Sequence, residues 1–250
     1  MLVLKQGTFL QDLLMATDTQ TCLQKFSEAI RQFGFESGFY CFVPNSVLHP
    51  DAENQPIIEM TDPARANFLH HYSAENLVAN DFIFHAALSG HRDPLPWWHE
   101  AQSREVSAVE RNVIEVPRYD YDIQNGLTIP VMQDQRGFAC VTVFSDLSDS
   151  RFTLFLNEDL NSLTLLANAL HAKLFSDNQF MTTLFNRIVS INPTEQQVFR
   201  HLISGKPMKQ IEDHTGISYR YATKVLDKFR KKHGNISKDQ LLYSLGHFFF

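Results

Sequence analysis

The chain has 250 residues, 44% of them hydrophobic, and a formal net charge of −6 at pH 7. That length buries one full core and a second, smaller one, and no run of eighteen apolar residues is present to cross a membrane. Three cysteines, Cys22, Cys41 and Cys140, are odd in number and lack C-x-x-C spacing, which points to buried thiols in a reducing cytoplasm rather than a disulfide framework.

The first residues, MLVLKQGTFLQDLLMATD, are interrupted by Lys5, Gln6, Gln11 and Asp12 and do not read as a signal peptide. The expected location is cytoplasmic, with no membrane partner. TCLQKFSEAIRQFGF is an amphipathic helix ending at Gly34, and SGFYCFVP and NQPIIEM read as strands. The stretch from Asp62 to Gly90 is mostly helical, with Pro63 in its first turn. GLTIPVMQDQRGFACVTVFSD has the form of a hairpin with its turn at Gln133–Gly137. NEDLNSLTLLANALHAKLF is a helix whose Leu160, Leu163, Ala167, Leu170 and Leu174 share a face. Helices before and after an antiparallel sheet predict an α+β fold, an N-terminal α/β/α layered domain over residues 1–175.

Residues 176–192 read as a linker. Beyond them the charge reverses: residues 191–250 hold ten Lys and Arg against five Asp and Glu, a net of +5, and the rest carry −11. NPTEQQVFRHLIS reads as a helix with Thr194 as candidate N-cap and Gly205 as its stop. KPMKQIEDH is a short helix, Thr215-Gly216-Ile217 a turn, and Ser218 caps a basic helix running to about His233. A last helix follows Asn235 and Ser237. Two short helices around a glycine turn, the second basic, describe a small all-α helix-turn-helix domain over 193–250 whose expected partner is double-stranded DNA. Arg220, Tyr221, Thr223, Lys224, Lys228 and Lys231 are the candidate DNA contacts.

These C-terminal residues resemble the DNA-binding domain of LuxR-type transcription regulators: Pro193, Glu195, Gly205, Lys206, Ile211, Gly216, Ile217 and Ser218 match its pattern at the right spacing. Over roughly residues 10–175 the chain also resembles the autoinducer-binding domain of the same family. Tyr72 and Asp81 stand nine apart, Trp97 follows in PLPWW, and Gly126 opens GLTIPV. The family's first pocket Trp is replaced by Phe68, and the Pro after its Asp by Phe82. The resemblance implies a small-molecule pocket containing Phe68, Tyr72, Asp81, Trp97, Gly126 and Thr142, with an acyl-homoserine lactone or related autoinducer as ligand. The alternative is a regulator that answers a non-lactone ligand or acts without one as a dimeric DNA-binding scaffold. A homodimer is expected because a single small helix-turn-helix domain grips DNA weakly. It also implies that Asp81 accepts the ligand's amide N–H, while Phe68 has no donor for a lactone carbonyl.

Asp81 has a second reading, as the cap of a helix starting at Phe82, and the expectation adopted is the ligand anchor. His70, His71, His85, His91 and His99 lack metal-site spacing, so no metal is expected and no other cofactor. No G-x-S-x-G, P-loop or G-x-G-x-x-G occurs, and the chain is not expected to be an enzyme.

Overall fold

The computed structural model describes residues 2–44, 56–189 and 191–249. The chain forms two compact units, the first holding Met1–Val43 and Pro56–Asp177, the second built on Asn178–Phe250. In chain order the first unit contains α1 (Leu2–Met15), α2 (Thr19–Ile30), β1 (Ser37–Pro44), β2 (Ile57–Met60), α3 (Ala66–Ala74), α4 (Phe82–Leu88) and β3 (Leu95–Pro96). It continues with α5 (Trp97–Ser103), α6 (Ala108–Asp120), β4 (Asn125–Asp134), β5 (Gly137–Ser145), α7 (Asp149–Glu158) and α8 (Leu160–Ser176).

The sheet runs β2-β1-β5-β4-β3. Its centre is the β4–β5 hairpin, antiparallel and registered from Asn125 opposite Ser145 to Asp134 opposite Gly137, with an irregularity near Pro130. Proline cannot donate to the ladder, and the register slips where it sits. The two-residue alternation of β1 sorts its side chains between two helical layers. Tyr40 and Phe42 face α8: the Tyr40 hydroxyl lies 2.9 Å from His171 Nδ1, and the Phe42 ring packs 5.5 Å from that of Phe175. Phe39 and Cys41 face the other way, toward α3 and α4.

The Leu-rich helix divides at Asp159 into α7 and α8. On α8 the buried stripe is Leu163, Leu166, Ala167, Leu170 and Leu174; Leu160, expected in it, is half-buried at the first turn, and Leu166 takes its share of the face. This stripe packs on α1, α2 and β4.

The second unit comprises α9 (Asn178–Val189), α10 (Pro193–Ile203), α11 (Ile211–Thr215), α12 (Tyr219–Lys232) and α13 (Lys238–Phe249). The stretch read as a linker is thus mostly the helix α9, which packs on α13. Asn192, not Thr194, caps α10: its side chain accepts from Glu195 N–H, and the Glu195 carboxylate accepts from Asn192 N–H. Pro193 explains the shift, because its fixed φ suits the first helical position and places the cap on the residue before it, two ahead of Thr194. Pro207 precedes a short 3-10 turn rather than lying within a helix. Gly216 takes φ +73 between α11 and α12, and Ser218 caps α12. Val198, Phe199 and Leu202 of α10 meet Ala222, Leu226 and Phe229 of α12 in the core, the Phe199 and Phe229 rings 4.6 Å apart.

Two measurements check this packing. A Cβ on Gly38 would lie 2.4 Å from the Thr142 carbonyl oxygen, so Gly38→Ala is expected to cost about 1–3 kcal/mol, read as a lower midpoint in urea unfolding. Burial, reinforced by Arg136, lowers the His171 pKa to about 4 from an ordinary 6.5. The unfolded chain therefore binds a proton that the folded chain refuses, and stability falls as pH drops from about 6.5 toward 4. His171→Gln removes the titration, and its melting temperature should decline less steeply over that window.

Candidate functional site

Between the sheet and helices α3, α4 and α6 lies a cavity with about 610 Å³ of unfilled space, counting its mouth. Its sheet wall is Phe39, Cys41, Ile58, Thr128, Cys140 and Thr142. Helices and loops supply Phe68, Leu69, Tyr72, Val78, Asp81, Ile83, Phe84, Val113 and Ile114, and Trp97 closes one end. The mostly apolar lining suits a small molecule with an aliphatic part.

Asp81 is the polar centre. It sits in extended backbone between a 3-10 turn and α4, and each of its carboxylate oxygens has a partner. Oδ1 accepts from Phe84 N–H at 2.9 Å, capping α4, and Oδ2 accepts from the Tyr72 hydroxyl at 2.7 Å. The expectation that Asp81 is an anchor instead of a cap is corrected: it is the cap. The two roles are compatible, because two oxygens carry about four acceptor sites and the Phe84, Ile83 and Tyr72 donors do not fill them all. Burial pushes the Asp81 carboxyl above its ordinary value, against the pull of the Phe84 and Tyr72 hydrogen bonds. Burial, followed by the adjacent carboxylate, pushes Tyr72 far above the usual phenol range, so it remains a donor at any working pH.

Trp97 opens α5 at the end of β3. Its ring lies flat against Gly126, where a Cβ would fall 2.3 Å from the indole. Gly126 therefore does not line the cavity; it leaves room for the residue that does. The Trp97 indole N–H donates to Thr128 Oγ1 at 3.1 Å, and Thr128 Oγ1 meets Thr142 Oγ1 across the hairpin at 3.1 Å. The two hydroxyls hold two hydrogens and share one bond, and the Cys140 thiol beside Thr142 competes for the other. The cavity thus offers a carboxylate acceptor on its helical side and a pair of hydroxyls on its sheet wall.

Phe68 is 2% exposed and packs edge-on against Tyr72, Phe144 and, in a tilted contact, Tyr121. Its ring supplies shape and no hydrogen bond. Tyr121 lies in the charged run RYDYD, and its hydroxyl meets His71 Nδ1 at 2.7 Å. Phe68, Tyr72, Asp81, Trp97 and Thr142 thus surround one cavity. Thr128, Cys41 and Cys140 join them unforeseen, although alternation along each strand places them on the same face as Thr142 and Phe39. Among the described residues no group of three His, Cys, Asp or Glu is placed to hold a metal, and no helix is long and apolar enough to cross a membrane.

In the second unit, Arg220, Lys224, Lys228 and Lys231 recur along the exposed side of α12, opposite Ala222, Leu226 and Phe229, with Tyr221 beside them, 54% exposed. Thr223 is half-buried and its hydroxyl donates to the Tyr219 carbonyl at 2.9 Å, so it keeps only acceptor capacity. Asp227 pairs with Arg230 at 3.6 Å.

Removing the Asp81 side chain takes away a helix cap and the partner of a buried hydroxyl. Asp81→Ala is expected to lower stability by about 1–3 kcal/mol. Asp81→Asn keeps one acceptor oxygen for the Phe84 N–H, turns an amide N–H toward the Tyr72 hydroxyl oxygen in place of the second acceptor, and sheds a charge that burial disfavours, so its unliganded melting temperature should stay near that of the wild type. Parallel thermal melts of the three proteins check both.

The autoinducer binding domain family matches residues 18–174, more than half of the chain. No relative is found among curated proteins. Solved structures with a similar fold include Escherichia coli SdiA, at 14% identity and a TM-score of 0.56, covering 97% of this chain and 96% of that one. SdiA in complex with octanoyl-rac-glycerol aligns at 15% identity and a TM-score of 0.53, covering 97% and 93%. The LuxR family regulator CepR2 from Burkholderia cenocepacia aligns at 14% identity and a TM-score of 0.51, covering 69% of this chain and 94% of that one. With a cavity inside the matched segment and the family pattern spanning most of the first unit, the chain belongs to the autoinducer binding domain family.

Proposed function

We propose that the chain is a cytoplasmic, ligand-responsive transcription regulator that binds an acylated signal in the cavity of the first unit and double-stranded promoter DNA through α11 and α12 of the second. It is a receptor and not an enzyme. The observation that carries the reading is the Asp81–Tyr72 pair, a carboxylate with open acceptor sites set in an apolar cavity. A ligand N–H or O–H reaching Asp81 makes a charge-assisted bond at low dielectric, which discriminates strongly against analogues that lack the donor.

The acyl-homoserine lactone implied by the family is one candidate, its amide N–H on Asp81. Phe68 favours a second, an acyl ligand whose head carries hydroxyls in place of a lactone carbonyl, since no donor stands at that position. The octanoyl-rac-glycerol bound by SdiA belongs to that chemical class. In either case an oxygen of the head group meets the Thr128–Thr142 hydroxyl pair.

For DNA, the short helix, the left-handed Gly216 and the basic exposed side of α12 support a helix-turn-helix reader, with Arg220, Tyr221, Lys224, Lys228 and Lys231 toward the groove. A homodimer follows from the weak grip of a single small reading domain, two copies addressing a two-fold-symmetric site.

Mass spectrometry of small molecules co-purifying with the full chain identifies the signal. Titrated with it, Asp81→Asn should bind about ten- to a hundredfold more weakly than the wild type; equal affinity would remove the anchor. The double variant Lys224→Ala with Lys228→Ala should bind every DNA sequence more weakly, and the slope of log affinity against log salt should shrink by about 2.

A further inference from the structure

Two side chains in the cavity wall have no part in that reading. Cys41 and Cys140 are free, 2% and 1% exposed, and both line the cavity. They lie on neighbouring strands, β1 and β5. Contacts along the pair give its direction and register. The Ser145 hydroxyl donates to the Gly34 carbonyl at 2.8 Å, and Glu36 N–H donates to the Phe144 carbonyl at 3.0 Å. A Cβ on Gly38 would then lie 3.2 Å from Val143 Cα.

Residue numbers rise on one strand as they fall on the other, so the strands are antiparallel. Three residues past the Gly38–Val143 contact, Cys41 comes opposite Cys140. Alternation agrees, since Phe39 and Cys41 share the cavity face with Cys140 and Thr142. Opposed residues of an antiparallel pair have Cα atoms about 4.5–5.5 Å apart, inside the roughly 4.4–6.8 Å that a disulfide spans.

We propose that Cys41 and Cys140 are a redox modification site, a cross-strand dithiol that closes reversibly to an intramolecular disulfide when a small uncharged hydroperoxide enters the cavity. One sulfur attacks the peroxide, the O–O bond breaks, and a sulfenic acid and an alcohol (water, for hydrogen peroxide) result. The facing thiol then attacks the sulfenic sulfur, forming the S–S bond and releasing water. The hydrogen bond with Cys41 and burial push the Cys140 thiol well above its ordinary value. The first step is therefore slow beside an exposed thiolate, and the second is fast because the partner is already in place. Cys22 sits buried on α2, away from the cavity lining, and serves as an internal control. The site does not depend on which signal the cavity takes.

The test uses the full chain, reduced and desalted, then incubated under native conditions with hydrogen peroxide. Alkylation in denaturant and peptide mass spectrometry follow. The expected product is a peptide linking Cys41 to Cys140 within one chain, lighter by a pair of hydrogens and reversed by dithiothreitol. Cys22→Ser should still form it, and Cys41→Ser and Cys140→Ser should not. Recovery of both residues as alkylated thiols would overturn the proposal. So would sulfinic acid at either without the link, or linkage only between chains.

Discussion

A carboxylate withdrawn from water must find partners, and the first unit is arranged around how Asp81 finds them. One oxygen fixes the start of α4 and the other fixes the Tyr72 hydroxyl on α3. The bond thereby sets the angle between two helices that roof the cavity. An apolar cavity on its own would collapse onto whichever side chains could fill it. A buried charge with directional bonds at the edge of the space gives the roof one preferred arrangement, at the desolvation cost that shows in the raised carboxyl pKa.

The sheet contributes a different kind of order. Alternation on β1 divides its aromatic residues between two layers, Tyr40 and Phe42 to α8 and Phe39 to the cavity. One short strand thus serves both as the support of a hydrophobic core and as part of a binding surface. The same arithmetic on β4 and β5 turns Thr128, Cys140 and Thr142 inward. The polar groups of this wall are therefore hydroxyls and thiols held on rigid backbone, while the ionisable group lies on the helical side.

Much of this was legible in the sequence. Periodicity located α2, the β4–β5 hairpin, the α8 stripe and the basic helix α12, and the spacing of Tyr72, Asp81 and Trp97 pointed to residues that now share a cavity. What escaped had physical reasons. The roles of Asp81 were treated as rivals because a sequence shows one residue, not the two oxygens that leave acceptor capacity beside the cap. Gly126 was read as a pocket residue when its contribution is the absence of a side chain beneath Trp97. Tyr121 was hidden in a charged run, and its packing on Phe68 spans more than fifty residues of chain. Thr194 lost the cap to Asn192 because the proline between them decides where the helix begins.

Gly126 and Gly38 have a further consequence for how such a receptor can diversify. Each lets a neighbour approach to a distance no side chain allows: the indole of Trp97 over one, the backbone of Thr142 and Val143 over the other. The sheet wall is therefore closed against change, since almost any replacement at these two positions displaces main chain or a large ring. Val78, Ile83, Val113 and Leu69 are under no such constraint, and they line the opposite side. Descendants that adopt longer, shorter or branched signals would accumulate their substitutions on the helices, leaving the strands as an inherited template. Signal range in this architecture is a property of the roof.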